Sequence, residues 1–468
     1  MMTETDPAQM SAETLLALYA RRALSPLEAL RAVTERIARL NPGINAFAVM
    51  NPNALRQAGE SAARWAAGRP IGPLDGVPCT VKDLLHMQGL PTRRGSRTTD
   101  PAPQSEDAPA VIGLKSAGAV IIGKTTTTEF GWKTPGDCPL HGITRNPWDP
   151  RRTTGGSSSG AGAAAAAGFG ALHIGTDAGG SIRIPAAYCG VVGLKPSYGR
   201  VPQWPHGAFS AVAVAGPMTR SVRDAALMLS ALARADVRDP LCLPDDPRDW
   251  RAGIEEGVRG MRIALVRRWG FDPPLDAEGE SALQRAAEIL RAEGASVEEA
   301  DPELPDTRHI FGRVWGVALS RLVATTPEDR RDALDDGLAE VARREGGMSA
   351  VDFLGAEAMR VEAAHRMGLF HQRYDLVLTA STPTAAFAAD QPTLRPTEAL
   401  WRDWAPWTFA QNLTRQPAIT LPAGLDEEGM PRGVQIVAAQ GRDDLCLRGA
   451  RALERVLAMP DTPREPPA

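Results

Sequence analysis

The chain has few aromatic residues, no long apolar run and no block of like charge. Its 468 residues are 5% aromatic, and its 52 basic and 56 acidic side chains leave a net charge of −4. No stretch approaches the roughly 20 apolar residues that span a membrane. A surface that binds nucleic acid or an anionic membrane needs clustered cations, and the longest basic blocks here are pairs such as Arg151-Arg152. We therefore expect neither nucleic acid nor membrane as a partner.

Cysteine and histidine are also scarce and scattered. The five cysteines are odd in number and form no C-x-x-C pair, and none of the seven histidines falls at the spacing of metal ligands. The first ten residues, MMTETDPAQM, lack the basic and apolar regions of a secretory signal. These features predict a cytoplasmic protein with reduced thiols and no metal site.

Lysine is rare, and its few occurrences are confined to one part of the chain. Only five of the 52 basic residues are lysine, and all lie between Lys82 and Lys195, a window of 114 residues. A desolvated lysine can lose its proton near neutral pH, whereas arginine cannot. The window is therefore where proton-transfer chemistry is expected, although codon bias with a few surviving lysines would give the same pattern.

The hydrophobic pattern divides the chain into four segments. Residues 1–60 have helical periodicity, with a capping box at Ser25 to Glu28. Residues 70–240 contain short apolar runs typical of buried strands, such as VPCTV, AVIIG and ALHIG. Residues 300–374 are mostly helical, and strand-like runs return over 375–460. Because strands occur at both ends, we expect one domain, 1–468, built on one large sheet layered by helices.

Two short motifs suggest chemistry but lack the required context. Gly118 to Thr125 fits the phosphate-binding pattern G-x-x-x-x-G-K-[ST], but its intervening residues, AVII, resemble a buried strand. Gly156 to Gly160 fits the G-x-S-x-G elbow of α/β-hydrolases, with Ser158 as nucleophile, but the preceding residues are polar and turn-like. An α/β-hydrolase esterase using Ser158 remains a lesser alternative.

A third pattern is longer and rich in small residues. Gly155-Gly156-Ser157-Ser158 is followed by an alanine-rich segment and then by GTDAGGSIRIPA over 175–186. Glycines beside Ser181 would leave backbone N–H groups free next to a hydroxyl. An oxyanion hole next to a nucleophile is what acyl transfer requires. A glycine-rich loop with purely structural serines is the alternative.

These runs resemble the amidase signature family. Its members share G-V-P-x-x-x-K-D, GGSSGG and GTDxGGSIRxPA, matched here by DGVPCTVKD, GGSSSG and GTDAGGSIRIPA. Weaker similarity extends to the C-terminal N-L-T-x-x-P-A-I-T-L-P and G-V-Q-I-V. The resemblance implies an α/β fold with a single large domain, in which α-helices cover both faces of a mixed β-sheet.

The resemblance also implies roles for individual residues. Ser181 would be the nucleophile, Ser157 a bridging serine on a cis peptide bond, and Lys82 the base. Substrate would be bound by an oxyanion hole and an acyl pocket, formed by Ala178, Gly179, Gly180, Gly131 and Trp132. Ser158, Asp177 and Arg183 would support the site. Ser159 stands where the family has glycine and Thr154 where it often has proline, so the geometry around Ser157 is where this chain departs.

The expected reaction is hydrolysis of a small amide through an acyl-enzyme, with water as the second reactant and no cofactor. Aryl or alkyl amides are expected, and esters or carbamates (urethanes) could use the same groups. The alternative within the family is the A subunit of a tRNA-dependent amidotransferase, which acts with a partner subunit. Ile184 and the run GRVPQWPHG differ from that branch and favour a stand-alone enzyme. A homodimer is expected because it is the commonest assembly. Trp401, Trp404 and Trp407, three residues apart, would wall a pocket or pack in the core.

Overall fold

One large β-sheet forms the centre of the molecule. The structure, a computed structural model, describes residues 6–392 and 405–457. Within them the strands are β1 (Phe47–Met50), β2 (Pro78–Lys82), β3 (Val120–Thr125), β4 (Asp137–Cys138), β5 (Gly142–Ile143), β6 (Leu172–Asp177), β7 (Val192–Lys195), β8 (Val214–Thr219), β9 (Arg262–Leu265), β10 (Ser296–Glu299), β11 (Leu376–Ala380), β12 (Ala418–Leu425) and β13 (Pro431–Ala438). All except the β4–β5 ribbon belong to the central sheet.

The central sheet is mixed, as expected. Its strand order is β1-β3-β2-β6-β8-β7-β12-β13-β11-β9-β10. Strand β2 is parallel to both β3 and β6, and β9 is parallel to β10 and β11, whereas the remaining neighbours are antiparallel. Strands from the two ends of the chain meet where β7 pairs with β12. The sheet therefore joins the signature segment to the C-terminal strands.

Helices cover both faces of this sheet. The α-helices are α1 (Ala12–Ala20), α2 (Pro26–Ile44), α3 (Ala54–Ala66), α4 (Pro109–Ser116), α5 (Ser159–Ala167), α6 (Arg183–Cys189), α7 (Val222–Leu232), α8 (Ala277–Ala292), α9 (Thr307–Thr325), α10 (Asp336–Glu345), α11 (Ala350–Phe370), α12 (Phe409–Leu413) and α13 (Asp443–Glu454). Three short 3₁₀ helices span Pro7–Gln9, Glu129–Gly131 and Glu328–Ala333.

Alternate residues of β3 show how the two faces are filled. Ile121 packs in a core with residues of α1, α4, α7, α8 and α13. Val120 and Ile122 belong to a second core with residues of α2, α3 and α5. Successive strand side chains point to opposite faces, so this division places helices on both sides of the sheet. The predicted fold class is confirmed.

Several local signals in the sequence correspond to structure. Ser25 and Glu28 form the reciprocal capping box of α2: Glu28 N–H donates to Ser25 Oγ at 3.2 Å and Ser25 N–H to Glu28 Oε2 at 2.8 Å. The phosphate-loop motif does not form such a loop, because its last six residues are the fully buried strand β3. Among the described residues, no helix has the length and hydropathy needed to cross a membrane.

Helix α5 is the feature that brings the site together. Every residue of its sequence, SGAGAAAAA, is buried, and it packs against β2, β3, β6 and α6. A Cβ atom added at Gly160 would lie 2.5 Å from the backbone nitrogen of Thr126. Only small side chains allow this approach, which explains the alanine-rich run after the serines.

Candidate active site

Two parallel strands bring Lys82 next to the GTDAGGS segment. The Cα partners Val81 and Ile174 are in register between β2 and β6. Lys82 is the last residue of β2, and Asp177 is the last residue of β6. Since parallel strands end at the same edge of a sheet, the lysine and the glycine-rich turn that carries Ser181 lie on that edge.

Lys82 is fully buried and surrounded by oxygen atoms. Its Nζ lies 2.8 Å from both Ser157 Oγ and Ser158 Oγ. It also lies 2.9 Å from Thr176 Oγ1 and 3.3 Å from the Thr176 carbonyl oxygen. Burial lowers the pKa of Lys82 far below its ordinary value, opposed in part by the charge of Asp177. The structure thus favours an unprotonated amine.

Ser158 has no free hydrogen-bonding position. Its hydroxyl donates to the Thr176 carbonyl oxygen at 3.1 Å, and its oxygen accepts from Thr176 N–H at 3.2 Å and from Lys82. A hydroxyl has one donor and two acceptor positions, so all three are used. Loop residues rather than an apolar strand precede Ser158, and no histidine is among its described hydrogen-bond partners. Both observations argue against a hydrolase elbow here.

Ser157 precedes α5 and follows a cis peptide bond. The Gly156–Ser157 bond is cis, as the resemblance implied. Ser159, which departs from the family pattern, donates its hydroxyl to the Ser157 carbonyl oxygen at 3.5 Å. Thr154 donates to the Gly155 carbonyl oxygen at 2.9 Å. Both unusual side chains therefore hydrogen-bond to the backbone around Ser157.

Ser181 lies in the turn between β6 and α6, with 6% of its surface exposed. Its carbonyl oxygen accepts from Ser158 N–H at 3.1 Å, which ties this turn to the start of α5. The side chains of Ser181 and Ser157 line the same cavity.

The backbone N–H groups of this turn differ from the expectation at Gly180. Gly180 N–H donates to Asp177 Oδ1 at 2.7 Å, so the expectation of a free oxyanion donor at Gly180 is not met. The N–H groups of Ala178, Gly179 and Ser181 have no acceptor in the part of the chain that the structure describes. The expected donors at Ala178 and Gly179 are therefore available, together with the N–H of Ser181.

A fully buried ion pair holds the turn. Arg183 Nε donates to Asp177 Oδ2 at 2.9 Å and Nη2 donates to Oδ1 at 3.0 Å. Burial raises the pKa of Asp177, but the Arg183 charge outweighs it, so that the pKa lies below its ordinary value. Arg183 also donates to Asn412 Oδ1 at 2.6 Å and to Gln435 Oε1 at 2.6 Å. The C-terminal N-L-T and G-V-Q-I-V motifs thus converge on this pair.

The cavity in front of the serines has mostly apolar walls. Gly131 lines it, as expected, with Phe130 beside it. Trp132 does not line this cavity, which corrects the expectation. Its ring lies against Gly337, and its carbonyl oxygen accepts from Trp315 Nε1 at 3.1 Å. Trp132 instead packs in a core with residues of α9 and α10, and Phe130, whose backbone has φ 51°, lines the cavity.

Other expected features are placed as follows. Trp407 is buried, and its Nε1 donates to the Pro274 carbonyl oxygen at 2.9 Å. Trp401 and Trp404 lie outside the described residues. Within the described ranges, no three His, Cys, Asp or Glu side chains group as metal ligands would. Sequence reasoning overlooked Thr176, although it lies inside the GTDAGGS run, and Phe130 and Arg94, for which the sequence carries no signal.

Comparisons with known proteins define the class of this enzyme. The family model described as Amidase matches residues 28–447. An acylamidase of Rhodococcus erythropolis is 36% identical over 467 residues, covering 97% of each chain. The A subunit of the glutamyl-tRNA(Gln) amidotransferase of Anaeromyxobacter dehalogenans (strain 2CP-C) is 35% identical, covering 96% of each chain. The chain is thus related to enzymes that act on amide C–N bonds.

A solved structure supports the same conclusion. A bacterial aryl acylamidase of the amidase signature enzymes superposes with a TM-score of 0.87 at 27% identity, covering 96% of each chain. This chain belongs to the amidase signature family and is an amidohydrolase.

Proposed function

We propose that the chain is a stand-alone acylamidase that hydrolyses aryl or alkyl amides through an acyl-enzyme on Ser181. The observation that carries this proposal is the 2.8 Å approach of the buried Lys82 Nζ to Ser157 Oγ, in the cavity wall that Ser157 shares with Ser181. The similarity to acylamidases and the apolar cavity walls support the substrate class.

The direction of proton transfer follows from the contacts of Lys82. A neutral amine has two N–H donors and one lone pair. Ser158 Oγ can only accept from it, since its own proton goes to Thr176, and Thr176 Oγ1 takes the second N–H. The lone pair is then left for the Ser157 hydroxyl. Ser157 donates its proton to Lys82 and in turn accepts the proton of Ser181.

Ser181 Oγ then attacks the amide carbonyl carbon. The carbonyl oxygen becomes an oxyanion, which the N–H groups of Ala178, Gly179 and Ser181 stabilise. Return of the proton through Ser157 converts the leaving nitrogen to a free amine as the C–N bond breaks. Water, deprotonated by the same groups, releases the carboxylic acid and regenerates Ser181. Esters and carbamates would follow the same steps.

The test uses the purified chain alone, with 4-nitroacetanilide and glutamine as substrates. We expect release of 4-nitroaniline without any partner, abolished in Ser181→Ala and unchanged in Ser281→Ala, an exposed serine on α8. Hydrolysis of glutamine in preference to anilides would instead favour the amidotransferase A subunit, to which the chain is also similar. The homodimer and the cytoplasmic location stay predictions.

A further inference from the structure

We propose that Arg94 is a specificity residue, which selects amide substrates that carry a carboxylate. The inference rests on the proposed function for the identity of the reaction, but its evidence is separate. Among the described residues that line the cavity in front of Ser181, only Arg94 is charged. The remaining walls are mostly apolar, formed by residues such as Leu84, Phe130 and Phe209.

The charge of Arg94 is not matched by the protein around it. Its Nη2 lies 3.3 Å from His86 Nε2, and no carboxylate within the described ranges forms an ion pair with it. A guanidinium has five N–H donors and stays protonated, and His86 is the one acceptor for them that the described residues provide. Arg94 is partly exposed at the cavity, where an anion on the substrate would supply acceptors for these donors.

Asp83, whose backbone carbonyl oxygen accepts from the Arg94 N–H, has its carboxylate paired with another cation. Asp83 Oδ1 lies 2.7 Å from Lys124 Nζ, and both side chains are buried. Asp83 Oδ2 accepts from the backbone N–H of Arg93 at 3.1 Å. The group formed by Asp83, Lys124 and Arg94 therefore carries one more positive than negative charge.

His86 does not supply the missing negative charge. As acceptor from Arg94, its Nε2 must be unprotonated. Burial lowers the pKa of His86 to about 4, and the charges of Arg94 and Lys124 act in the same direction. The imidazole is neutral at neutral pH, so it orients the guanidinium without cancelling its charge.

The backbone fixes Arg94 beside the substrate wall. Its carbonyl oxygen accepts from Phe130 N–H at 2.8 Å, and its N–H donates to the Asp83 carbonyl oxygen at 3.1 Å. Phe130 and Gly131 line the same cavity, and Asp83 directly follows Lys82. A planar guanidinium held in this way can bind a carboxylate through two parallel N–H donors.

The test compares shape-matched anionic and neutral amides. One pair differs on the acyl side: glutaryl 4-nitroanilide and 5-methylhexanoyl 4-nitroanilide. The other pair differs on the amine side: N-butyryl-4-aminobenzoate and N-butyryl-4-isopropylaniline. For each pair we measure the ratio of kcat/KM, anionic over neutral, in the native protein, in Arg94→Gln and in Arg97→Gln. Arg97 is exposed, does not line this cavity, and undergoes the same loss of charge.

We expect Arg94→Gln to lower this ratio at least about tenfold in one of the pairs, since a charged hydrogen bond contributes roughly 1.5–3 kcal/mol. Arg97→Gln should leave both ratios unchanged. Arg94→Lys, which keeps the charge but loses the planar fork, should give an intermediate ratio and serves as the second variant if Arg94→Gln does not fold. Ratios that are the same in Arg94→Gln and the native protein for both pairs overturn the proposal.

A binding measurement separates this proposal from the proposed function. Titration calorimetry of Ser181→Ala with the same four compounds requires no turnover. If anionic compounds bind at least about tenfold more weakly when Arg94→Gln is added, the specificity proposal stands even if no amide is hydrolysed. If amides are hydrolysed but neither turnover nor binding depends on Arg94, the proposed function stands and the specificity proposal fails.

Discussion

Lys82 Nζ and Ser157 Oγ lie 2.8 Å apart, and the lysine side chain is fully buried. The contact joins the end of a central strand to the residue two positions before α5. It forms because β2 and β6 are parallel and because the alanines of α5 allow the helix to pack directly on them. The lysine lies where burial favours its neutral form and where a serine hydroxyl can donate to it.

Removal of this amine should stop amide hydrolysis. We expect Lys82→Met to lower kcat/KM by about 10² to 10⁴, the usual contribution of a general base. Lys82→Arg should not restore activity, since arginine does not lose its proton. The measurement is initial-rate kinetics with 4-nitroacetanilide. Lys115→Met is the matched control, because Lys115 is partly exposed, pairs with Asp107 and does not line the cavity. Appreciable turnover by Lys82→Arg would exclude Lys82 as the base.

The lowered pKa of Lys82 should also appear in the pH dependence of stability. Because the pKa is lower in the folded than in the unfolded chain, the unfolded chain binds one more proton between the two values. Stability from this group therefore rises with pH in that window, by at most about 1.4 kcal/mol per pH unit. Urea unfolding of the native protein and Lys82→Met at pH 7 and pH 9 measures the difference. If the free energy of unfolding changes by the same amount between pH 7 and pH 9 in both proteins, the lysine stays protonated in the folded chain.

Loss of the Asp177 charge should affect both folding and activity. Asp177→Asn leaves the fully buried Arg183 without its carboxylate, and breaking a buried pair in this way costs about 3–5 kcal/mol. The same carboxylate accepts from Gly180 N–H, so the turn that carries Ser181 should loosen as well. Denaturant unfolding and kinetics measure the two effects. Arg343→Gln, which breaks an exposed pair with Glu340 on α10, should leave both unchanged. A fully stable and active Asp177→Asn would show that the pair is dispensable.

Gly179→Ala tests the space behind the turn. The added Cβ would lie 2.6 Å from Phe311 Cζ, and that ring is stacked on Phe409 with their centroids 4.1 Å apart. Overpacking of this kind costs about 1–3 kcal/mol and would displace the N–H of Gly179. We expect lower stability and lower kcat. Gly355→Ala is the control, since a Cβ there meets nothing within 4 Å and the residue lies in α11. If both variants behave alike, the turn tolerates the added atom.

Local signals in the sequence were sufficient for much of the fold. The capping box of α2, the strands β2, β3, β6, β11, β12 and β13, and the helical segment before Tyr374 follow from periodicity and cap residues. Strands β7, β8, β1 and β10 were not recognised. β8 contains glycine and proline (VAGPMT) and β10 is mostly polar (SVEE), so each is a strand because of its neighbours in the sheet rather than its own composition.

Some site residues could be placed from the sequence motifs. Others could not, because the motifs do not reveal the local backbone conformation or the packing around it. Lys82, Ser157, Ser181 and Gly131 lie at the cavity or against it, where the motifs suggested. Trp132 was misplaced because no local signal shows that it packs in the core while its near neighbour Phe130 lines the cavity. Arg94 was overlooked because only the folded structure shows that it lines the cavity and that no carboxylate of residues 6–392 or 405–457 pairs with it.

We expect Ser181 to be the nucleophile and Lys82 to activate it. The most direct measurement is treatment with a fluorophosphonate, which reacts with activated serines, followed by intact mass and peptide mapping. We predict a single adduct on Ser181 in the native protein and none in a folded Lys82→Met. An adduct on Ser158, or an adduct on Ser181 that forms equally fast without Lys82, would contradict the account.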